Sequence, residues 1–166
     1  GSDHIREKDG LWAIVAWLNI LAFANKEHAG TSVADVLQAH YKQYGRNFFS
    51  RYDYEEVESA GAQTMMSELR AKVTDPAFLG STHGSFKVAE AGDFSYTDPI
   101  DHSVSKNQGL YVRMEDGSRI VFRLSGTGSA GATIRLYVEK YSSMAAEYAA
   151  DVQEALRPII DVALQL

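Results

Sequence analysis

Apolar side chains fill 13 of the 14 positions from 11 to 24, and Asn19 is the one polar residue among them. This run is too short to cross a bilayer, which takes about 20 apolar residues. Asp9 can cap its start, and an apolar surface on nearly every side predicts a helix that is buried in a domain. A second helix is predicted from about Ser32, and Gly45 ends it.

The pattern changes after Gly45, where strand-like and helical segments follow one another. Residues 47–54 are predicted to form a strand. The helix predicted next ends before Pro76, and its apolar stripe consists of Ala62, Met65, Met66, Leu69 and Val73. Two short strands are predicted over residues 86–91 and 93–96.

The clearest local pattern is a β-hairpin over residues 110–124. Apolar residues alternate on both sides of an Asp116-Gly117 turn. A further strand is predicted from Ile134, because Ile134, Leu136 and Val138 also alternate.

The last helix is predicted to start at Ser142 or Ser143, with a kink at Pro158. Its buried residues are predicted to be Tyr148, Val152, Leu156, Ile159 and Ala163. Strands grouped between helices indicate an α+β fold, with one antiparallel sheet and helices on one face.

Residues 123–135 read R-L-S-G-T-G-S-A-G-A-T-I-R, a Ser/Thr/Gly segment with an arginine at each end. Glycine allows the positive φ angles and the close approach that an anion-binding nest needs. Arg123 and Arg135 can donate paired, charged hydrogen bonds to phosphate oxygens. We predict a phosphate-binding loop, and the alternative is a flexible connection between two strands.

Residues 126–131 also fit the dinucleotide pattern G-x-G-x-x-G. That pattern needs a helix directly after it, so that the pyrophosphate meets the helix N-terminus. An alternating, strand-like segment follows here instead. A protein-kinase glycine loop is excluded because the chain has no H-R-D or D-F-G sequence.

Composition narrows the function further. The net charge of −6 over 166 residues argues against a nucleic-acid surface, and the absence of cysteine excludes disulfides and thiolate metal sites. The five histidines lack the spacing of metal ligands. Arg46, Arg51 and Asp53 lie on one predicted strand, where a surface ion pair is expected rather than a binding site. The absence of a signal-peptide pattern predicts a cytoplasmic protein.

Five segments together resemble the phosphoglucomutases of the α-D-phosphohexomutase superfamily. They are residues 1–12, 44–54, 98–109, 116–122 and 123–137, in the family's order. Residues 1–12 resemble the segment after the family's sugar-binding loop, and residues 123–137 resemble its C-terminal phosphate-binding loop. The resemblance is to the glucose branch of the superfamily.

The resemblance implies a division into two parts. Residues 1–44 would be the C-terminal helices of an incomplete α/β domain, the family's third. Residues 45–166 would be the fourth domain, a TATA-box-binding-protein-like α+β fold. The family's serine loop T-A-S-H-N-P, metal loop D-G-D-G-D-R and sugar loop G-E-E-S-F-G are absent, so the chain alone is expected to be inactive.

The family's activity is the interconversion of glucose 1-phosphate and glucose 6-phosphate. The resemblance implies a phosphoserine donor, Mg²⁺ bound outside this chain, and glucose 1,6-bisphosphate as intermediate. The last domain would hold the phosphate that does not react, through Arg123, Ser125, Gly126, Thr127, Gly128 and Arg135, with Ser129 and Thr133 as further candidates.

Lys8 matches the family lysine at the active-site cleft, and it is the substrate-binding and candidate catalytic residue of the first 44 positions. Judged by itself, a lysine just before a helix is a solvated side chain. Two alternatives to an enzyme stay open: a non-catalytic sugar-phosphate-binding module, and a structural relative without catalysis. The expected partners are a sugar phosphate and the protein's own upstream domains, with self-association through the N-terminal helices, and neither nucleic acid nor membrane.

Overall fold

The computed structural model describes residues 1–5, 7–128 and 131–166, with residues 126–128 described by their backbone alone. The chain divides into two compact units. The first comprises Gly1–Arg46 with Ser143–Tyr148, and the second comprises Asn47–Ser142 with Ala149–Leu166.

The first unit contains the two helices that the sequence predicts. Helix α1 spans Gly10–Glu27, and its cap Asp9 accepts a hydrogen bond from the Trp12 backbone N–H at 2.9 Å. Helix α2 spans Val33–Tyr44 between the cap Ser32 and Gly45. The Ser32 side chain caps this helix in a reciprocal arrangement with Asp35, which satisfies backbone donors that the first turn leaves free.

None of the residues of α1 is buried in this chain, although its apolar surface is typical of a helix that packs inside a domain. Leu11 is 77% exposed and Phe23 is 65% exposed. Helix α2 contacts α1, but one neighbour covers only one side of a helix that is apolar on all sides.

The second unit contains a six-stranded sheet with the order β1-β8-β7-β6-β3-β2. Along the chain the elements are β1 (Arg46–Val57), α3 (Ser59–Thr74), β2 (Thr82–His83), β3 (Phe86–Asp93), β4 (Tyr96–Thr97), β5 (Val104–Ser105), β6 (Leu110–Met114), β7 (Arg119–Gly128), β8 (Gly131–Ser142) and α4 (Val152–Ala163). The pairs β2–β3, β3–β6, β6–β7 and β7–β8 are antiparallel.

Helices α3 and α4 share a hydrophobic core with one face of this sheet. Leu156 and Ile159 of α4 are completely buried, and burial of such a side chain contributes roughly 1.5–3 kcal/mol. The sheet and α3 supply most of the other buried residues, including Phe48, Met66, Leu69, Val73, Val88, Leu110, Val112, Ile120, Leu136 and Val138. The predicted α+β fold is confirmed.

The predicted start of the last helix is wrong. Strand β8 continues to Ser142, a 3-10 turn follows at Ala145–Glu147, and α4 begins only after its cap Asp151. The Asp151 carboxylate accepts hydrogen bonds from the N–H groups of Gln153 and Glu154. These bonds satisfy free donors of the first turn, and this fixes the start of the helix at Asp151.

The predicted strand over residues 93–96 is also wrong. Strand β3 ends at Asp93, and Tyr96–Thr97 pairs with Val104–Ser105 in a separate two-stranded sheet. The Asp98 carboxylate accepts hydrogen bonds from the N–H groups of Ile100 and Asp101. These bonds make the turn between the two short strands, as expected of an Asp-Pro sequence.

Candidate anion-binding site

The segment predicted as a phosphate-binding loop is largely a paired β-hairpin. Arg123 faces Arg135 across strands β7 and β8, Ser125 faces Thr133, and pairing continues to Gly128 and Gly131 with a shift in register after Ser125. The alternation of Leu124 and Ile134 with polar neighbours continues the pattern of both strands, which favours pairing over an open loop. The candidate Ser129 lies outside the described residues.

The hairpin sorts its side chains onto two faces. Ile120 and Phe122 belong to the buried core, and Leu124 packs against it. Side chains alternate along a strand, so Arg123 and Ser125 lie on the opposite, open face of the sheet. Directly opposed residues share a face, with Cβ atoms about 5 Å apart. The structure therefore brings together four of the predicted side chains: Arg123, Ser125, Thr133 and Arg135.

Two arginines directly opposite each other repel, which destabilises the strand pair. A carboxylate from the neighbouring strand β1 offsets part of this repulsion. Asp53 Oδ2 lies 3.7 Å from Arg135 Nε, and Asp53 Oδ1 lies 3.0 Å from Arg51 Nε. Of the three residues among which a surface ion pair was expected, Arg51 and Asp53 form one, whereas Arg46 donates a hydrogen bond to the Tyr148 carbonyl. The contact between Asp53 and Arg135 could not be predicted from the sequence, because the two residues are 82 positions apart in the chain.

Most other arginines on this face already have an acidic partner. Arg113 contacts Glu90 at 2.7 Å and Arg119 contacts Glu139 at 2.6 Å. Among the residues that the structure describes, Arg123 has no ion-pair partner, and its side chain is exposed. Arg123 is therefore a positive charge without a carboxylate partner among the described residues, available to an anion, whereas Arg135 shares the Asp53 carboxylate with Arg51.

Arg123 also lines a depression of about 710 Å³ on the open face. Its wall includes Phe94, Tyr96 and Tyr111. The Tyr111 hydroxyl donates a hydrogen bond to Glu90 Oε1 at 2.9 Å, and this bond, with partial burial, raises the pKa of Tyr111. The net positive charge of the depression comes from Arg123, since Glu90 and Glu139 balance Arg113 and Arg119.

Two glycines allow close packing around the hairpin. Gly131 has φ +93°, and a Cβ there would lie 3.1 Å from the Glu56 Cα. A Cβ on Gly109 would lie 3.0 Å from the Arg123 Cγ. Glycine at these positions lets the hairpin approach the end of β1 and leaves room for the Arg123 side chain.

The other predicted site residues lie in strand β7 and in the first unit. Gly126, Thr127 and Gly128 belong to β7, where the structure describes their backbone only. Lys8 belongs to the first unit, its side chain is exposed, and its backbone N–H donates to Glu7 Oε1 at 3.1 Å. Its place at a substrate site is therefore supported by the resemblance alone.

Within the described part of the chain, no group of three or more His, Cys, Asp or Glu residues is arranged to hold a metal ion. Within the same residues, no helix is long and apolar enough to span a membrane.

The second unit is an α+β domain that carries two arginines and two hydroxyl side chains on the open face of its sheet. The family model of the phosphoglucomutase-1 C-terminal domain matches residues 46–166. The chain belongs to this family.

Relatives from distant organisms match almost the whole chain. Human phosphoglucomutase-1 is 54% identical over 170 residues and covers 100% of this chain, which corresponds to 29% of the human protein. A phosphoglucomutase from Rhizobium radiobacter is 55% identical over 163 residues, covering 98% of this chain and 29% of its own length. The chloroplastic phosphoglucomutase of Solanum tuberosum is 53% identical, with 100% and 27% covered.

A solved structure gives the same result at the level of the fold. The open form of pp63/parafusin, a phosphoglucomutase from Paramecium, superposes with a TM-score of 0.80 at 47% identity. The match covers 99% of this chain and 28% of that protein. The chain thus spans a little over a quarter of the length of the relatives that it matches.

Proposed function

We propose that this chain is the C-terminal part of a phosphoglucomutase that interconverts glucose 1-phosphate and glucose 6-phosphate. Residues 45–166 would form the domain that holds the non-reacting phosphate of the sugar phosphate. The observation that carries this proposal is the position of Arg123 and Arg135 on one open sheet face, with Ser125 and Thr133 two residues further along the hairpin. The names of the relatives support the reaction.

The chemistry of the cluster suits a phosphate dianion. Each guanidinium can donate two parallel hydrogen bonds to phosphate oxygens, and the hydroxyls of Ser125 and Thr133 can donate one each. The backbone N–H groups of Gly126, Thr127 and Gly128 are proposed as further donors, on the basis of the resemblance. A site that contacts only the phosphate accepts the sugar in both orientations. A mutase needs this, because it moves phosphate between the two ends of the sugar.

The binding energy from this phosphate would be used at the other end of the sugar. Contacts with a remote part of the substrate orient the reacting group and favour closure of the cleft. Residues 1–44 would be the last helices of the preceding domain, where Lys8 would bind the substrate as a point charge.

The phosphoryl transfer itself is proposed to belong to the upstream domains, with a phosphoserine donor and glucose 1,6-bisphosphate as intermediate. When bound there, Mg²⁺ would neutralise charge on the transferred group. The described residues of this chain provide no set of ligands for it. The serine and metal loops, if found upstream in the same protein, would distinguish the enzyme from the non-catalytic alternatives.

A cytoplasmic location is also a proposal. The relatives include plant proteins that are named as chloroplastic, so membership of the family is compatible with more than one compartment.

Titration of the chain with inorganic phosphate tests the proposed site. We expect amide chemical shifts to change along β7 and β8 around Arg123 and Arg135, with a Kd on the order of 1 mM, or about 4 kcal/mol. Shifts confined to another part of the chain would refute the site. A coupled mutase assay on the same sample is expected to show no turnover. Turnover above background would refute the proposal that the upstream domains carry out the phosphoryl transfer.

A further inference from the structure

We infer that Asp53 is a positioning residue that orients Arg135 for phosphate. This inference rests on the proposed phosphate site. Asp53 lies on β1 and Arg135 lies on the adjacent strand β8, and Asp53 Oδ2 is 3.7 Å from Arg135 Nε. No residue of β1 was among the predicted phosphate ligands.

Burial makes this contact different from an ordinary surface ion pair. Asp53 Oδ1 and Arg135 Nε are both shielded from solvent, and neither has a hydrogen-bond partner among the described residues. Burying a charged group away from water is unfavourable unless an opposite charge lies beside it. The loss of Asp53 would leave Arg135 Nε shielded from water and without the carboxylate beside it.

The carboxylate is itself held in place. Arg51 Nε approaches Asp53 Oδ1 at 3.0 Å, on the side that Arg135 does not occupy. Only 19% of the Asp53 side chain is exposed, and its backbone lies within the twelve-residue strand β1. Asp53 is therefore a fixed charge between two guanidinium groups, able to define where Arg135 points.

The contact leaves the ligand-binding part of Arg135 free. The carboxylate approaches Nε, and the two terminal amino groups have no partner among the residues that the structure describes. An arginine that is already ordered loses less rotamer freedom when it binds an anion. The two arginines would thus differ in role: Arg135 is preordered, and the exposed Arg123 adapts to the ligand.

A positioning role for Asp53 and a purely electrostatic role predict opposite changes in phosphate affinity when its charge is removed. A carboxylate next to an anion site repels the anion, so charge alone predicts that its removal tightens phosphate binding. A positioning role predicts the opposite, because Arg135 loses the group that orients it. Removal of the Asp53 charge therefore separates the two roles by the direction of the change.

The experiment compares Asp53→Asn, Asp53→Glu and Glu139→Gln in the intact chain, by titration with inorganic phosphate followed through amide shifts. Asp53→Asn should weaken phosphate binding by roughly threefold to tenfold, the effect of ordering one long side chain. Asp53→Glu should restore part of the affinity. Glu139→Gln removes the same charge from the same face, about 13 Å along β8 from Arg135, and should leave the affinity unchanged or slightly tighter.

A second readout observes Arg135 directly, through the NMR signal of its Nε–H group. In the unaltered chain this signal should be shifted from that of free arginine and should exchange slowly with solvent; in Asp53→Asn it should move toward the free position. If Asp53→Asn does not fold, the Nε–H signal of the unaltered chain decides, and a free-arginine position overturns the inference.

The outcomes separate this inference from the proposed function. If phosphate fails to shift the hairpin of the unaltered chain, the proposed site is wrong and the inference falls with it. If the unaltered chain binds phosphate and Asp53→Asn binds it equally well or more tightly, only the positioning role is refuted.

Discussion

At the scale of single residues, the open face of the sheet is organised by which charges have partners. Glu90 and Glu139 neutralise Arg113 and Arg119, whereas Arg123 and Arg135 face each other across the hairpin. Two like charges that face each other with no anion between them lower the stability of the strand pair. A bound anion removes this repulsion. The arrangement thus trades some stability of the strand pair for affinity toward an anion.

Arg123→Ala and Arg135→Ala should each weaken phosphate binding to the chain. In the complete protein, with the mutase activity proposed above, each should cost about 2–3 kcal/mol of transition-state binding, the size of a lost charge-assisted contact. Arg113→Ala is the matched control, since it removes a positive charge from the same face but one already paired with Glu90. A loss in kcat/KM of less than about threefold for either arginine, well under 1 kcal/mol, would count against its role.

Gly131→Ala should destabilise the domain more than Gly117→Ala. Both glycines have positive φ, +93° and +85°, and an alanine with positive φ costs about 1–2 kcal/mol. A Cβ at Gly117 meets no atom within 4 Å, but one at Gly131 would lie 3.1 Å from the Glu56 backbone. This overpacking should add about 1–3 kcal/mol. Urea unfolding measures the difference, and equal free energies of unfolding would show that the hairpin does not need its close approach to β1.

At the scale of elements, the sequence predicted best where local signals decide the structure. The β6–β7 hairpin and the caps of α1 and α2 follow from alternation, turn residues and capping residues. The prediction failed where a strand continues through residues whose local sequence favours another structure. Strand β7 pairs with β8 up to Gly128, although the glycines favoured a loop. Similarly, β8 extends to Ser142, where the helical spacing of apolar residues had suggested the start of α4.

The candidate site shows the same limit. The arginines and hydroxyls of the hairpin could be predicted because they are neighbours in sequence as well as in space. The Asp53 contact could not, because it depends on β1 lying beside β8 in the sheet. Nothing in the local sequence around Asp53 indicates which strand will be its neighbour.

Helix α3 offers a prediction of pH dependence at its N-terminus. The Glu58 carboxylate accepts hydrogen bonds from the N–H groups of Ala60 and Gly61, at 2.8 and 2.6 Å, and these bonds hold the pKa of Glu58 below its ordinary value. A depressed pKa in the folded state contributes stability that is present above the unfolded pKa and is lost as the pH falls through the folded pKa.

Glu58→Gln should therefore lower Tm at pH 7, and the difference should shrink as the pH falls to about 3, below the unperturbed pKa of a glutamate. Glu68→Gln, on the exposed surface of the same helix, is the control and should change Tm little at either pH. Thermal unfolding followed by circular dichroism measures both variants. A Tm difference for Glu58→Gln that stays constant with pH would contradict a contribution from the charged cap.

At the scale of the whole molecule, the two units differ in how well they bury their apolar residues. The second unit has a closed core of helices and sheet. In the first, α1 keeps Leu11, Trp12, Leu18 and Phe23 at least 48% exposed. The chain covers a little over a quarter of its relatives, so we propose that in the complete protein the surface of α1 is covered by upstream domains.

In the isolated chain, the same surface should drive self-association. Each large apolar side chain on α1 gains roughly 1.5–3 kcal/mol when it leaves water, and exposed patches of this kind mark association surfaces. A shortened chain that begins at Gly45 should be monomeric and should still bind phosphate at Arg123 and Arg135. Light scattering on both chains, with Leu18→Glu in the long one as a control that keeps α1 but interrupts its apolar surface, measures the effect. A long chain that stays monomeric on the order of tens of micromolar would contradict the prediction, since α1 would then be stable in water without a partner.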